Sequence, residues 1–404
     1  MTDLTLGNAQ PVEAVDPPVR SDVGVARFFL MHVLAIVLPI TAGVILYGWR
    51  ALAAIGLVVA SMLVSLLVWK KIGRRGRRMN LPYSIWLSVL LAVMLPAHLA
   101  TSSYPSAPAP HVWAILAGAG LSLTILMWLF GGAGSGRVHP ALVIYLLLVV
   151  LFQSFLEPHF VLQRGRIGTG DILNVPTAES LEAREAAVRK EAWTKFQWAE
   201  GGDAIYAEPA SSKLVSYTTG SEPPDRAALS LEELIRDKMP PLEDLIVGGQ
   251  PAAIGLGSCV AVIMGGLYLL YRGLIDYRIP LFMCLAAYAS FLLLPIPVTI
   301  TERSRHWQSL VLSKLSVGWP TAITFVNYEL MAGPILFTAF FIATSAEVRP
   351  MTRRGRTIFA ILVGILAAAL QLYLDVSYGA YLALLIVSLI TPLLDWWFRP
   401  KPLV

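Results

Sequence analysis

Residues 331–356 read Met331-Ala-Gly-Pro-Ile-Leu-Phe-Thr-Ala-Phe-Phe-Ile-Ala-Thr-Ser-Ala-Glu-Val-Arg-Pro-Met-Thr-Arg-Arg-Gly-Arg356. The stretch opens as a helix of apolar and small residues, turns polar at Thr344 and Ser345, and closes in a knot of arginines: Arg349, Arg353, Arg354 and Arg356. An ordinary transmembrane span does not end this way. Short loops rich in Lys and Arg mark the cytoplasmic side of a membrane. The stretch therefore points to a helix that enters lipid and is anchored at one end by its arginines.

Composition agrees. Of 404 residues, 56% are hydrophobic and 14% charged, and the mean hydropathy is strongly positive. A soluble domain carries about a quarter charged residues. With so few, most of this chain must face lipid or other membrane helices. The net charge of +5 does not point to nucleic acid, because the positive residues sit in short loops between apolar runs. Cys259 and Cys284 fall inside apolar runs, as small buried residues do, which argues against a disulfide framework or a zinc site. Residues 1–24 are polar and contain prolines, without a basic start leading into a short apolar core, so the first span is expected to act as an uncleaved membrane signal.

Outward from the opening stretch, the chain divides into apolar runs. Phe28–Tyr47 and Ala51–Trp69 flank Gly48-Trp-Arg50, which predicts a helical hairpin, since a span needs about 20 apolar residues. Residues 70–78 follow with six basic residues and no acid, placing this loop and the N-terminus in the cytoplasm. Tyr83–Leu99 is the third run, bracketed by Pro82 and Pro96, and Thr101–Pro110 is an outer loop. The fourth run, Val112–Phe130, ends in the glycine turn 131–136, too irregular for a helix and tolerated at membrane depth only where it is buried or lines a cavity. The fifth run spans 141–156.

Residues 159–251 hold 15 of the 26 acidic residues and 10 of the 31 basic ones, and form the one sizeable soluble part. Ala178–Trp198 predicts an exposed helix whose carboxylates a solvated face explains. Leu231–Lys238 predicts a second helix, begun by Ser230 with Glu233 three residues on, a capping-box pattern. Ala252–Tyr271 resumes the spans with Gly265 and Gly266 suited to close helix contact. Ile279–Val298 is span seven, and Leu310–Leu330, interrupted by Gly318-Trp-Pro320 and Asn327-Tyr-Glu329, predicts a broken or re-entrant element. Thr357–Leu374 and Ala380–Phe398 close the chain.

The expected fold is an all-α polytopic membrane protein. It has a cytoplasmic tail (1–26), a first transmembrane half (27–158), an extracytoplasmic loop (159–251) and a second transmembrane half (252–404). About ten spans with both termini cytoplasmic put five in each half, which is the arithmetic of two inverted repeats.

Three segments then match a known pattern in order. These are Gly333 through Thr344 with Pro350 through Arg356, Phe130-Gly-Gly-Ala-Gly134 continuing to His139-Pro-Ala141, and Gly265-Gly-Leu-Tyr-Leu-Leu-Tyr-Arg272 with Tyr277-Arg-Ile-Pro280. They resemble the NqrB/RnfD family, the large membrane subunits of the sodium-translocating NADH:quinone reductase and of Rnf ferredoxin:NAD complexes. The resemblance implies a subunit of a bacterial inner-membrane complex that relays electrons coupled to Na+ or H+ movement. Its partners would be other integral and peripheral subunits and membrane lipid, not nucleic acid.

The family also carries FMN joined by a phosphoester to an outer-loop threonine, in a motif Asp-x-x-Ser-Gly-Ala-Thr. The counterpart here is Ser216-Tyr-Thr-Thr-Gly-Ser-Glu222, where Gly220 matches but Ser216 replaces the Asp and Glu222 stands at the acceptor position. Thr218, Thr219 and Ser221 are the hydroxyls left for a shifted register, and riboflavin is a second flavin candidate. A flavin-free relative, serving as a transporter-like, channel-like or assembly subunit, is the alternative these departures raise.

Other candidates come from the residues. Glu329 sits in the interrupted segment, where an ionisable group is either an ion-pathway residue or a solvated interfacial carboxylate. Thr344 and Ser345 either cap the helix end or contact a flavin. Asp395 reads as an interfacial anchor, His32 and His98 as packed hydrogen-bonders, and the arginine knot as a topology anchor or a phosphate contact. No nucleophile–base pattern, phosphate-binding Gly-x4-Gly-Lys loop or iron–sulfur cysteine pattern is present, which disfavours hydrolysis and nucleotide cleavage.

Overall fold

The computed structural model describes residues 24–72, 80–100, 112–129, 138–156, 160–162, 204–206, 209–219, 229–300, 305–311, 318–374 and 378–398. Helices α1 (Val25–Tyr47) and α2 (Trp49–Ile72) fold back on each other through Gly48, whose φ of 69° is the left-handed conformation that glycine adopts at no steric cost. Along α1 one face is buried (Ala35, Ile36, Pro39, Gly43, Leu46), while Leu30, Leu34 and Leu38 are exposed on the other. An exposed apolar face of this length belongs in lipid. Helix α3 (Leu81–Met94) is buried along almost its whole length and stops at Leu95-Pro96. The residue before a proline is pushed to extended backbone, and Leu95 is there at φ −90° and ψ 151°. A single 3-10 turn, Ala97–Ala100, follows. Helices α4 (Val112–Leu129) and α5 (Pro140–Leu156) complete the first half.

The middle of the chain builds small elements at one end of the bundle. In chain order they are β1 (Phe160–Leu162), β2 (Ala204–Tyr206), α6 (Ala210–Thr219), β3 (Leu229–Ser230), α7 (residues 231–238) and α8 (Leu242–Ile246). The capping box at α7 is present as expected: the Ser230 hydroxyl accepts from the Glu233 amide, and the Glu233 carboxylate accepts from the Ser230 amide. The expected helix 178–198, the glycine turn 131–136 and the basic run 73–78 lie outside the described residues.

The second half contains α9 (Cys259–Tyr271), α10 (Arg278–Leu293), β4 (Pro295–Ile300), β5 (Arg305–Ser309), α11 (Trp319–Ala332), α12 (Ile335–Ile342), α13 (Arg353–Tyr373) and α14 (Gly379–Trp397). Two expectations need correction here. Span seven does not run to Val298: α10 ends at Leu293, and Pro295-Ile-Pro-Val-Thr-Ile300 is a strand. Its prolines forbid a helix, and its β-branched residues suit a pleat. The chain is accordingly mostly helical, not all-α. β1 pairs with β2, and β3, β4 and β5 form a three-stranded antiparallel sheet with β4 in the middle.

The second correction concerns the opening stretch, which is not one descending helix. Met331 and Ala332 finish α11. The chain breaks at Gly333-Pro334 and bends by 60°, and α12 restarts at Ile335. Asn327-Tyr-Glu329 lies within continuous helix, so the interruption falls after it rather than at it.

Four helices, α1, α2, α13 and α14, are long and apolar enough to cross a membrane, and the bent pair α11–α12 makes a fifth among the described residues. Shorter apolar helices include α3, α9 and α10. The protein is a multi-pass membrane protein. Helix α2 packs against α4, α10 against α13, and α13 against α14. α1 crosses α9 at Gly265, where an added Cβ would lie 2.6 Å from the Ala35 carbonyl oxygen. The expected close approach of small residues is therefore real at this crossing.

Candidate functional site: a buried polar centre at the second helix break

Unwound backbone inside a membrane protein must find partners, because lipid offers none. The strap 251–257 supplies them to the first break. The Ile254 and Gly255 amides donate to the Leu95 and Val93 carbonyls at 3.1 and 2.9 Å. Gly255 is required, since a Cβ there would collide with Val93 Cγ1.

At the second break, Pro334 has no amide hydrogen and its ring excludes the preceding helical turn, so the last carbonyls of α11 are left open. Cys259 Sγ donates to the Met331 oxygen at 3.4 Å. The side chain of Gln371, on α13, reaches Glu329 twice: Nε2 donates to its backbone oxygen at 2.9 Å and to its carboxyl Oε2 at 2.7 Å. Glu329 is 1% exposed and Gln371 2%. The solvated interfacial alternative for Glu329 is thus not the one the structure adopts. Among the described residues, Glu329 Oε1 and Gln371 Oε1 are buried without a hydrogen-bond partner. Gly333 lets the amide approach, because a Cβ there would lie 2.8 Å from Gln371 Oε1. One residue back along α11, the Tyr328 hydroxyl donates to the Pro240 carbonyl at 2.6 Å.

Between the two breaks lies a cavity of about 50 Å³. Met94 ends the first broken helix on one side, and Ala332 and Pro334 flank the second break on the other. Tyr145 of α5 and Tyr381 of α14 line it with their rings edge to face, 4.9 Å between centroids. A water needs roughly 10–15 Å³ measured this way, so a few waters fit. Among the described residues the buried Tyr381 hydroxyl has no hydrogen-bond partner, and Tyr381 lines this cavity.

The other end of the opening stretch is tied down. Thr344 donates to the Phe340 carbonyl at 2.7 Å, and Thr391 to the Val348 carbonyl at 3.1 Å. The Tyr83 hydroxyl donates to Glu347, joining α3 to this turn. Asp395 acts as more than an interfacial anchor, because its carboxylate accepts the Met351 amide at 2.8 Å. Arg356 is committed: it pairs with Asp276 at 2.9 Å and donates to the Pro350 and Met351 carbonyls at 3.0 and 3.3 Å. Partial burial raises the Asp276 pKa, but the Arg356 guanidinium and the Arg278 amide outweigh it and hold the carboxyl below the usual range. Arg353 and Arg354 are exposed in the first turn of α13, and Arg349 is half-buried.

The flavin candidates do not converge on a site. Thr218 is 1% exposed within α6, and its hydroxyl donates to the Leu214 and Val215 carbonyls. Thr219 donates to the Val215 carbonyl at 2.7 Å. Ser221 lies outside the described residues. At the far end of the stretch, Thr344 is buried with its hydroxyl engaged, and Ser345 offers one buried unpaired hydroxyl. A phosphoester needs an accessible hydroxyl, and Thr218 does not provide one. His32 and His98 are packed hydrogen-bonders, bound to the Phe28 and Phe155 carbonyls at 2.9 and 2.8 Å. Among the described residues, no three metal-ligating side chains converge. Sequence reading misses Gln371, although it stands as the one amide in the apolar run 357–374 and can be found that way.

A multi-pass helical protein with two broken helices and a buried carboxyl–amide pair at the second break is the class that fold and site define. The chain belongs to the NQR2, RnfD, RnfE family, which it matches over residues 12–403. It is 27% identical over 388 residues to the D-type subunit of the ion-translocating oxidoreductase complex of Halorhodospira halophila, covering 92% of this chain and 90% of that protein. It is 26% identical over 392 residues to the corresponding D-type subunit of Salmonella paratyphi A, covering 93% of each.

Proposed function

We propose that this chain is the D-type membrane subunit of an Rnf/Nqr-like electron transport complex, coupling electron relay to Na+ or H+ movement. The observation that carries the coupling is a carboxyl, Glu329, buried at a helix break without a cationic partner among the described residues. It lies in a chain similar nearly end to end to relatives named as subunits of ion-translocating oxidoreductase complexes. Intramembrane carboxyls are rare and tend to mark ion pathways.

The architecture fits ten spans in two inverted halves. Support comes from the paired breaks at Leu95-Pro96 and Gly333-Pro334, the facing pair Tyr145 and Tyr381, and the matching contacts of α2 with α4 and of α10 with α13. Basic residues 70–78 and 349–356 set those loops and both termini in the cytoplasm of a bacterial inner membrane. The partners are then the integral and peripheral redox subunits of the complex, with lipid around the exposed helices.

A second reading is favoured by the engaged hydroxyl of Thr218: a flavin-free subunit that keeps the scaffold for transport or assembly. Purification of a tagged chain from its native membrane, followed by identification of co-purifying proteins, separates the two. Iron–sulfur and nucleotide-binding partners, with redox-driven ion uptake in vesicles that Glu329→Gln abolishes, are expected from the first. A chain that purifies alone, or uptake unaffected by Glu329→Gln, refutes it.

A further inference from the structure

The carboxyl of Glu329 has one side-chain partner, the Gln371 amide, and no Lys, Arg or His partner among the described residues. The elements packed against α11 carry titratable groups: Lys213 and Tyr217 on α6, Glu232, Glu233 and Arg236 on α7, Glu243 and Asp244 on α8, and Arg278, Cys284 and Tyr288 on α10. Tyr328 on α11 itself and Tyr373 near Gln371 add to these, and among the described residues none of them hydrogen-bonds or ion-pairs with Glu329. A bare carboxylate in such a place is strongly disfavoured, so the site calls for a proton or a bound cation. Among the described residues, two side-chain acceptor oxygens there are unpartnered, Glu329 Oε1 and Gln371 Oε1. A sodium ion gives up its water only for a full shell of oxygens, which these two side-chain oxygens alone do not make. A proton on the carboxyl needs no shell at all.

We propose that Glu329 is a proton-carrying carboxyl, kept neutral at rest by its burial without a cation, with the Gln371 amide fixing its position at the helix break. The proposal rests on the ion-coupled reading above and names the ion at this site. Gln371 keeps its second bond, to the Glu329 backbone oxygen, whatever the state of the carboxyl. Proton release then requires the break at Gly333-Pro334 to move so that water reaches Oε1, which makes the hinge and the proton site one device.

The test is infrared spectroscopy of the purified full chain in detergent, in H2O and D2O. Wild type is expected to show a protonated-carboxyl band at neutral pH that is unchanged when K+ is replaced by Na+. The band is absent from Glu329→Gln, whose amide mimics the neutral acid and keeps the melting temperature. In Gln371→Leu the band moves to higher frequency as its hydrogen bond is lost. No difference band between wild type and Glu329→Gln, loss of the band on adding Na+, or failure of Glu329→Gln to fold overturns the proposal. The band is read without partner subunits or an electron donor. Its absence therefore leaves the complex-subunit reading standing, and a chain that purifies alone does not touch the band.

Discussion

Substituting Gly333 by alanine tests the geometry of the polar centre directly. The new methyl would lie 2.8 Å from Gln371 Oε1, 3.1 Å from Nε2 and 3.2 Å from Cδ. Alanine accepts the local backbone, since φ is −94° at Gly333. The side chain of Gln371 is the flexible party, so it yields, and both of its bonds to Glu329 are lost. Each buried acceptor left unpaired costs about 1–3 kcal/mol. Replacing glycine stiffens the unfolded chain and returns about 0.4–1 kcal/mol. The net loss expected for Gly333→Ala is about 1–6 kcal/mol from these two terms. The assay is thermal or denaturant unfolding of the purified chain in detergent, run as a cycle with Gln371→Ala. Gln371→Ala alone carries most of the same penalty, and Gly333→Ala added to it is nearly neutral, because the atoms it strikes are gone. Additive losses in the double variant would refute the reasoning, since they would mean that the methyl acts somewhere other than on Gln371.

Asp276→Asn should destabilise the chain at neutral pH by removing the Arg356 ion pair. Because the folded carboxyl titrates below its unfolded value, that contribution is present above the unfolded pKa and is lost as pH falls through the folded one. The melting-temperature gap between wild type and Asp276→Asn should therefore close on acidification, and a constant gap counts against the pair. Thr218→Val should leave any flavin fluorescence of the denatured chain on a gel unchanged, whereas a Thr218-dependent band would show that the α6 hydroxyl is open after all. Gly265→Val should wedge α1 from α9 against the Ala35 carbonyl and cost about 1–3 kcal/mol or more of stability, read as loss of monodisperse protein on size exclusion; a normal profile and melting point would contradict the packing.

Much of the fold is legible because membrane helices announce themselves by composition and length. The hairpin at Gly48, the Ser230–Glu233 capping box and the close approach at Gly265 can each be read from local residue types. Two things cannot. The strand at Pro295–Ile300 hides inside an apolar run, where hydropathy does not separate a buried helix from a strand and only the proline spacing tells them apart. Gly318 and Asn327 look the stronger interruptions of the segment around Glu329, yet Gly333-Pro334, inside the signature stretch, is what ends the helix. Glu329 is legible as a charge in an apolar run. Its partner Gln371 lies 42 residues away, so only tertiary packing brings the two together. Thr218 and Thr219 stand out because hydroxyls are visible in sequence, but whether a hydroxyl is already engaged by its own helix is a matter of backbone.

The strap 251–257 carries a consequence for biogenesis. The Val93 and Leu95 carbonyls, at the end of a helix made early, are satisfied by the Ile254 and Gly255 amides, which leave the ribosome only after the whole of residues 159–251. Until then the tip of α3 cannot rest in hydrocarbon, so it must stay at the insertion machinery or in contact with water. The first half of the protein is thus inserted but unfinished, and a nascent chain truncated before residue 254 should be a substrate for membrane quality control rather than a stable half-protein.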